Sequence, residues 1–259
     1  MSDEEFRGRR VVITGAAGVY GSWIAQAFAA KGARLLLIDF REAPLRATAD
    51  AVRSAAQEVL TQECDLRDPA ATVAIADLVR AHWHAPDVLI NNAGVYPHQP
   101  IMDMRLDDWD AVMELNVTAP FLLTQALARL MIDAGVHGSV VNMSSGAATT
   151  TRAGSVHYST SKAALSMLTR GYALELAPHG IRVNAVSPGF APGSEVSHLN
   201  DEYVAMMTRS IPMGRTSGPN DSSEAILFLC SAAASYITGT TLVCDGGRAA
   251  GTFGAAVSR

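Results

Sequence analysis

The chain has 259 residues, 49% of them hydrophobic and 17% charged, with a formal net charge of −5. That is enough for one large α/β domain with a sizeable core, and it argues against disorder. There is no basic run, so nothing favours nucleic acid or an anionic membrane as a partner.

Cys64, Cys230 and Cys244 are far apart and form no C-x-x-C pair. Reduced thiols in a cytoplasmic protein are the expectation. The N-terminus, Met1-Ser2-Asp3-Glu4-Glu5, is acidic and does not read as a signal peptide. No uninterrupted apolar run reaches the ~20 residues a membrane helix needs.

Val11-Val12-Ile13 reads as a short buried strand. Thr14-Gly15-Ala16-Ala17-Gly18-Val19-Tyr20-Gly21 follows it and opens a helix over 19–31. Glycines between a strand and a helix allow a tight turn and close approach of a pyrophosphate. The helix N-terminus adds free N–H groups and a favourable dipole. No Gly-Lys-Ser/Thr follows, which excludes a P-loop. The next strand, Leu35–Ile38, ends at Asp39, eighteen residues beyond Gly21. A carboxylate there accepts hydrogen bonds from an adenine ribose and repels a 2′-phosphate, which predicts NAD rather than NADP. Arg41 is the counterweight, since it can turn toward a phosphate.

An Ala-rich helix is expected over 43–57, then a third strand ending at Asp65, which is placed to meet the adenine edge. An ordinary loop aspartate explains Asp65 nearly as well. His82-x-His84 has no carboxylate or thiol at ligand spacing, so solvated histidines are expected and no metal. Val88-Leu89-Ile90, Ser139–Asn142 and Arg182–Val186 read as further strands, with helical stretches over 107–133 and 155–178. Continuous apolar strands alternating with helices predict a doubly wound, mostly parallel sheet covered on both faces, in a single domain over 1–259. Residues 188–219 are rich in Pro, Gly and Ser and read as a substrate lid. The residues after Gly247 read as a tail.

Tyr158-Ser-Thr-Ser-Lys162 places Tyr158 and Lys162 one helical turn apart, with Ser145 thirteen residues before the tyrosine. A free tyrosine titrates near ~10, and a nearby ammonium lowers that by ~1–3 units. The pair is therefore a candidate general acid/base, with Ser145 to hold the reacting oxygen. Y-x-x-x-K alone occurs by chance in many helices, so the rest of the chain has to carry the reading.

Taken in order, the glycine turn, Asp39, Asp65, Asn91-Asn92-Ala93-Gly94, Asn116, Ser145, Tyr158/Lys162, Ser187-Pro188-Gly189 and Asp245-Gly246-Gly247 resemble the short-chain dehydrogenase/reductase family, over about Arg7 to Gly247. The resemblance implies a Rossmann-type fold and a hydride transfer between NAD and a secondary alcohol or ketone. It implies Tyr158 as proton carrier, Lys162 lowering its pKa and holding the nicotinamide ribose, and Ser145 on the substrate oxygen. Asn116 would complete a proton relay through a water to Lys162. Gly15, Gly18, Val19, Tyr20, Gly21, Asp39, Asp65, Leu66, Asn91, Tyr158, Lys162, Pro188, Phe190 and Ala191 would contact the cofactor. A homo-oligomer, tetramer or dimer, is implied, with Ala119, Leu122, Leu165, Leu168 and Ala173 as candidate interface or core positions.

Two departures stand out. Val19 occupies a position the family usually gives to Ala or Gly, and its side chain is expected to crowd the pyrophosphate. Gly193 replaces a usual threonine, with Ser194 as the candidate substitute. The expected pocket wall (Val95, Tyr96, Ala147, Ser155, Phe190 and parts of 191–214) is apolar with scattered hydroxyls, which favours a neutral alcohol. The alternatives are an NADPH-dependent ketone reductase and a dinucleotide-binding sensor without turnover.

Overall fold

Seven parallel strands form one sheet in the order β3-β2-β1-β4-β5-β6-β7 in the computed structural model, which describes residues 5–193, 199–251 and 253. They are β1 Arg10–Thr14, β2 Arg34–Asp39, β3 Glu58–Glu63, β4 Val88–Asn91, β5 Ser139–Met143, β6 Arg182–Pro188 and β7 Thr241–Cys244. Helices cover both faces: α1 Val19–Ala30, α2 Glu42–Val52, α3 Pro69–Trp83, α4 Leu106–Met113, α5 Ala119–Asp133, α6 Val156–Leu176, α7 Asp201–Arg209 and α8 Pro219–Cys230.

The strand alternation divides the core. Val11, Ile13, Leu35 and Leu37 pack against α1, α2 and α8. Val12, Leu36, Ile38 and Leu89 pack against α3, α5 and α6. Both faces are buried, which explains why the inner strands read as unbroken apolar runs. From β1 the chain winds outward to β2 and β3, then returns to place β4 on the other side of β1. The crevice beyond the C-terminal ends of β1 and β4 is the position where such sheets bind ligands.

Three expectations are corrected. The α2 helix ends at Val52 rather than 57, because Ala56 N turns back to Val52 O and Gln57 N pairs with Ala33 O to start β3. β3 ends at Glu63, so Asp65 lies in the following loop. The stretch 188–219 is not wholly irregular: Asn200 caps α7 by accepting a hydrogen bond from Tyr203 N at 2.8 Å, and Asp201 and Glu202 occupy the first turn. The helical stretch Leu106–Asp133 runs 28 residues and by length and composition alone could cross a membrane, but Asp107, Asp108, Asp110 and Glu114 interrupt its apolar run. Half of its most apolar window is buried in the fold, where α5 packs on α3.

The starts of β1 and β4 are joined by an ion pair. Asp87 accepts hydrogen bonds from Arg10 Nε at 2.7 Å, Arg10 Nη2 at 2.8 Å and Arg10 N at 2.9 Å. Burial raises the Asp87 carboxyl pKa, but the Arg10 contacts outweigh it and leave the pKa below its ordinary value. Asp87→Asn is expected to cost about 1.5–3 kcal/mol at neutral pH, the range for hydrogen bonds to a charged group. A carboxyl with a depressed folded pKa contributes stability above its unfolded pKa of ~3.9, and loses it as pH falls through the lower folded value. Chemical denaturation should therefore show the gap between wild type and variant narrowing below about pH 4. A gap that does not change with pH would refute the assignment.

Candidate active site

Thr14, at the end of β1, sets the geometry of the glycine turn. Its hydroxyl accepts the amides of Asn92 and Ala93, both at 3.0 Å, and donates to Ile90 O at 3.3 Å. Asn92 Nδ2 donates to Thr14 O and Gly15 O, both at 2.9 Å. The turn after β1 is thus fastened to the exit of β4. Gly15 has φ +62°, and a Cβ on it would lie 2.8 Å from Ala93 Cα. A Cβ on Gly21 would lie 2.1 Å from Gly15 O. Gly18 is the extended N-cap of α1 and supplies no side-chain cap, which leaves the helix N-terminal amides for an anion. Val19 is the first helical residue and is half-buried. This cradle, with no room for side chains at Gly15 and Gly21, fits a dinucleotide pyrophosphate.

Tyr20 does more than line the turn. Its hydroxyl donates to Gly189 O at 2.9 Å, tying the start of α1 to the loop after β6. Burial pushes its phenol pKa up to about 12, against the pull of the nearby Ser217 hydroxyl. Ser217 Oγ is itself buried without a partner that meets hydrogen-bond geometry.

Asp39 is buried at the end of β2. It accepts Ala17 N at 3.0 Å and Arg41 N and Nε at 3.1 Å each. It faces the turn as the sequence predicts, but it already holds Arg41. Asp65 is paired with Arg67 at 2.5 Å, which lowers its pKa. Leu66 is buried and lines a narrow crevice with Thr14, Asn91, Ala93 and Leu115. The Asn91 side chain is turned into the core: its amide donates to Thr124 Oγ1 at 3.0 Å and Asn142 Oδ1 at 2.8 Å. Asn142 continues the chain to Thr169 Oγ1 at 2.9 Å. The Asn91 amide is thus engaged in the core, while the residue lines the crevice beside Thr14 and Ala93.

The four candidate catalytic residues come from three elements. Asn116 lies at the centre of a π-helical turn, Glu114–Thr118, between α4 and α5. Such a turn re-aims a side chain that an α-helix would carry elsewhere. Asn116 is fully buried; its Oδ1 accepts Val95 N at 2.9 Å and its Nδ2 donates to Val95 O at 2.9 Å and Ser161 Oγ at 3.0 Å. A Cβ on Gly94 would lie 3.1 Å from Asn116 Oδ1 and 3.5 Å from Lys162 Nζ, so Gly94 sits between the two side chains. Ser145 follows β5 and accepts Ala147 N at 3.2 Å. Tyr158 and Lys162 share one face of α6.

Lys162 is buried, and its Nζ donates to Met143 O at 2.7 Å. Burial brings its pKa down to about 8. Nζ lies 5.8 Å from the Tyr158 ring centroid. The Tyr158 pKa stands above its ordinary value: burial raises it most, the Ser145 hydroxyl lowers it, Tyr96 raises it further and the Arg152 charge lowers it. This corrects the expectation that Lys162 depresses the phenol, because the ammonium points at the β5 carbonyl rather than the phenol oxygen. Tyr96 packs edge-on against Tyr158 with ring centroids 6.0 Å apart.

Pro188 ends β6, and Phe190 and Ala191 follow it, partly buried. Phe190 packs edge-on against Tyr203 of α7 with ring centroids 6.2 Å apart. A cavity of about 570 Å³ runs from Gly189 and Phe190 past Ile211 and Met213 to Cys244 and Gly247, and none of Ser145, Tyr158 or Lys162 borders it. Gly193 has φ +99°, a conformation unfavourable for the threonine that the family usually carries there. Ser194 lies outside the described residues.

A family model described as enoyl-(acyl carrier protein) reductase matches residues 15–249. The chain belongs to the short-chain dehydrogenase/reductase family. It is 37% identical to cis-4-hydroxycyclohexanecarboxylate dehydrogenase of Sinomonas cyclohexanicum, over 94% of this chain and 98% of that protein. It is 31% identical to the 3-oxoacyl-(acyl-carrier-protein) reductase FabG of Escherichia coli K12, over 93% of this chain and 98% of that protein. A gluconate 5-dehydrogenase from Burkholderia cenocepacia, solved with NADP and tartrate, superposes with a TM-score of 0.88 at 30% identity, over 97% and 100% of the two chains. The short-chain dehydrogenase/reductase family comprises oxidoreductases that bind a nicotinamide dinucleotide, and the glycine cradle described above suits one.

Three residues carry more of this site than their motifs suggested. Thr14 and Asn92 lie inside recognised motifs, but their joint became visible only in three dimensions. Arg152 had no signal beyond its place between Ser145 and Tyr158.

Gly21→Ala is expected to abolish dinucleotide binding measured by calorimetry. Lys162 gives a test of pH dependence. Below about 8 both folded and unfolded lysine are charged and the burial penalty is full; it is relieved as pH rises toward the unfolded value of ~10.4. The stability of the cofactor-free wild type relative to Lys162→Met should therefore increase over that interval. A constant difference would contradict the burial of a charged ammonium.

Proposed function

We propose that the chain is an NAD-dependent oxidoreductase that interconverts a secondary alcohol and a ketone. The observation that supports it best is the Tyr158 phenol beside the Ser145 hydroxyl, above the buried Lys162 and across the crevice from the glycine cradle. The dinucleotide, when bound, supplies the hydride acceptor, or in its reduced form the donor. Gly15, Gly18, Val19, Tyr20 and Gly21 would hold the pyrophosphate end, Asp39 the adenine ribose, and Tyr158 and Lys162 the nicotinamide end.

In the oxidative direction the carbinol carbon would give its two electrons to the dinucleotide as hydride, and its hydroxyl proton would pass to Tyr158 in the phenolate form, whose own proton has first left toward Lys162. Ser145 holds the substrate oxygen in line with the phenol, at its fixed position after β5. Lys162, with a pKa of about 8, can exchange a proton near neutral pH. Asn116 holds Val95 and Ser161 in place on either side of this group and is proposed to anchor the relay to Lys162.

NAD is favoured because the buried Asp39 carboxylate faces the place a 2′-phosphate would occupy. The NADPH reading has its own support: Arg41 lies on Asp39 and could pair with such a phosphate. The gluconate 5-dehydrogenase neighbour was solved with NADP.

Ala119, Leu165 and Ala173 are buried within the subunit, so they serve the core. Leu122 and Leu168 are partly buried. The exposed Phe121, Met167 and Leu174 of α5 and α6 are proposed to supply a homo-oligomer contact instead. The free Cys64, Cys230 and Cys244 suit a cytoplasmic setting.

The test is NADH formation from NAD, and NADPH formation from NADP, over a panel of secondary alcohols. Turnover is expected with a preference for NAD, and Tyr158→Phe should lower kcat by about 10²–10⁴-fold, the range for general acid–base catalysis. Normal turnover in Tyr158→Phe would overturn the mechanism. A preference for NADP would move the assignment to the reductase reading.

A further inference from the structure

The segment between Ser145 and Tyr158 carries one cation, Arg152, which the motif reading leaves without a task. Its guanidinium is held at two points. Nε donates to Ser155 Oγ at 3.1 Å, and Nη1 donates to Tyr203 Oη at 2.7 Å. Ser155 is buried directly before α6, three residues ahead of the catalytic tyrosine. Tyr203 lies on α7 of the lid and packs edge-on against Phe190. Arg152 therefore spans the opening from the catalytic helix to the lid.

Both partners are neutral oxygens. Elsewhere in the chain the guanidinium groups of Arg10, Arg34, Arg41, Arg67, Arg105 and Arg215 each meet a carboxylate. Among the described residues, Arg152 meets none. Its Nη2 is left without a hydrogen bond to another described residue. A planar, always-charged fork with unused donors is suited to a carboxylate. The group is also close enough for its charge to stabilise the Tyr158 phenolate. A ligand anion held here would lie beside Ser155, three residues before Tyr158, and next to Tyr203 of the lid.

We propose that Arg152 is a specificity-determining residue that binds the carboxylate of a hydroxy-acid or oxo-acid substrate, in the arrangement set by Ser155 and Tyr203. This rests on the dehydrogenase reading above and narrows its substrate class. It replaces the expectation of a neutral alcohol, which rested on an apolar pocket wall with scattered hydroxyls. One arginine is sufficient when it is preset by two hydrogen bonds and meets no carboxylate among the described residues. The carboxylate neither gains nor loses electrons; the carbinol carbon is oxidised and the proton leaves through Tyr158 as before.

The test uses a panel of secondary alcohols, each supplied as the carboxylate and as its uncharged amide, from 2-hydroxy acids to 4-hydroxycyclohexanecarboxylate. Wild type should favour the acids in kcat/KM by about 10–100-fold, the range of one charge-assisted hydrogen-bonded contact. Arg152→Met should erase this preference, chiefly through KM, and Arg152→Lys should keep part of it. Tyr203→Phe removes the contact to the lid while leaving the charge, and should keep most of the preference. Thermal melting checks that each variant is folded. Acid preference surviving in Arg152→Met, or equal use of acids and amides by wild type, would overturn the proposal while the dehydrogenase reading stands. Loss of preference in Tyr203→Phe as complete as in Arg152→Met would make Arg152 a lid support and overturn it as well. Inertness of every acid and amide with both cofactors would bring down the reading and the proposal together.

Discussion

The whole site depends on the joint between the exit of β1 and the exit of β4. There the chain has wound outward through β2 and β3 and come back, leaving a crevice that the sheet itself does not fill. Thr14 and Asn92 close the back of that crevice with hydrogen bonds to backbone groups on both sides. These bonds hold Gly15 against Ala93 at a separation that only glycine tolerates. The cofactor cradle is therefore a product of strand order. The glycines permit the close approach, but the β4 loop imposes it.

Catalytic placement follows a different logic, that of burying polar groups only with partners. The Asn91–Asn142–Thr169 chain crosses the core fully bonded, and Asn116 is satisfied by the backbone of Val95. Lys162 is the costly member: among the described residues its one acceptor is Met143 O, and its pKa is brought down to about 8. Such a group is unfavourable for stability and well matched to proton traffic near neutrality. The elevated Tyr158 pKa belongs to the same compromise, a phenol desolvated in a site built around charges that point past it.

The lid side is organised by aromatic hydroxyls. Tyr20 binds Gly189 at the lid base, and Tyr203 binds Arg152 across the opening. The segment after β6 is thereby tied at one end to the glycine turn and at the other to the stretch before α6. Movement of α7 must alter the surroundings of Arg152, and movement of the 188–190 loop must alter those of Tyr20.

Much of the fold was legible in the sequence because both sheet faces are buried. Unbroken runs such as Leu35–Ile38 and Val88–Ile90 have no other stable use when helices alternate with them. The glycine turn and the Tyr158/Lys162 spacing were legible for a similar reason, since each follows from local geometry. The end of α2 was not, because it is set by Gln57 reaching Ala33 on another strand. The π-helical turn at Asn116 was hidden because its aim is decided by Val95 and Ser161, remote in sequence. The α7 helix had a local signal in Asn200-Asp201-Glu202, obscured by the Pro, Gly and Ser around it. By itself, then, the sequence determined which elements form and which chemistry they carry, because periodicity and turn chemistry act over a few residues. Only the tertiary structure decided where Lys162 aims, what Asp39 already holds and that Arg152 meets Tyr203 rather than a carboxylate among the described residues, because those outcomes depend on how the folded chain packs.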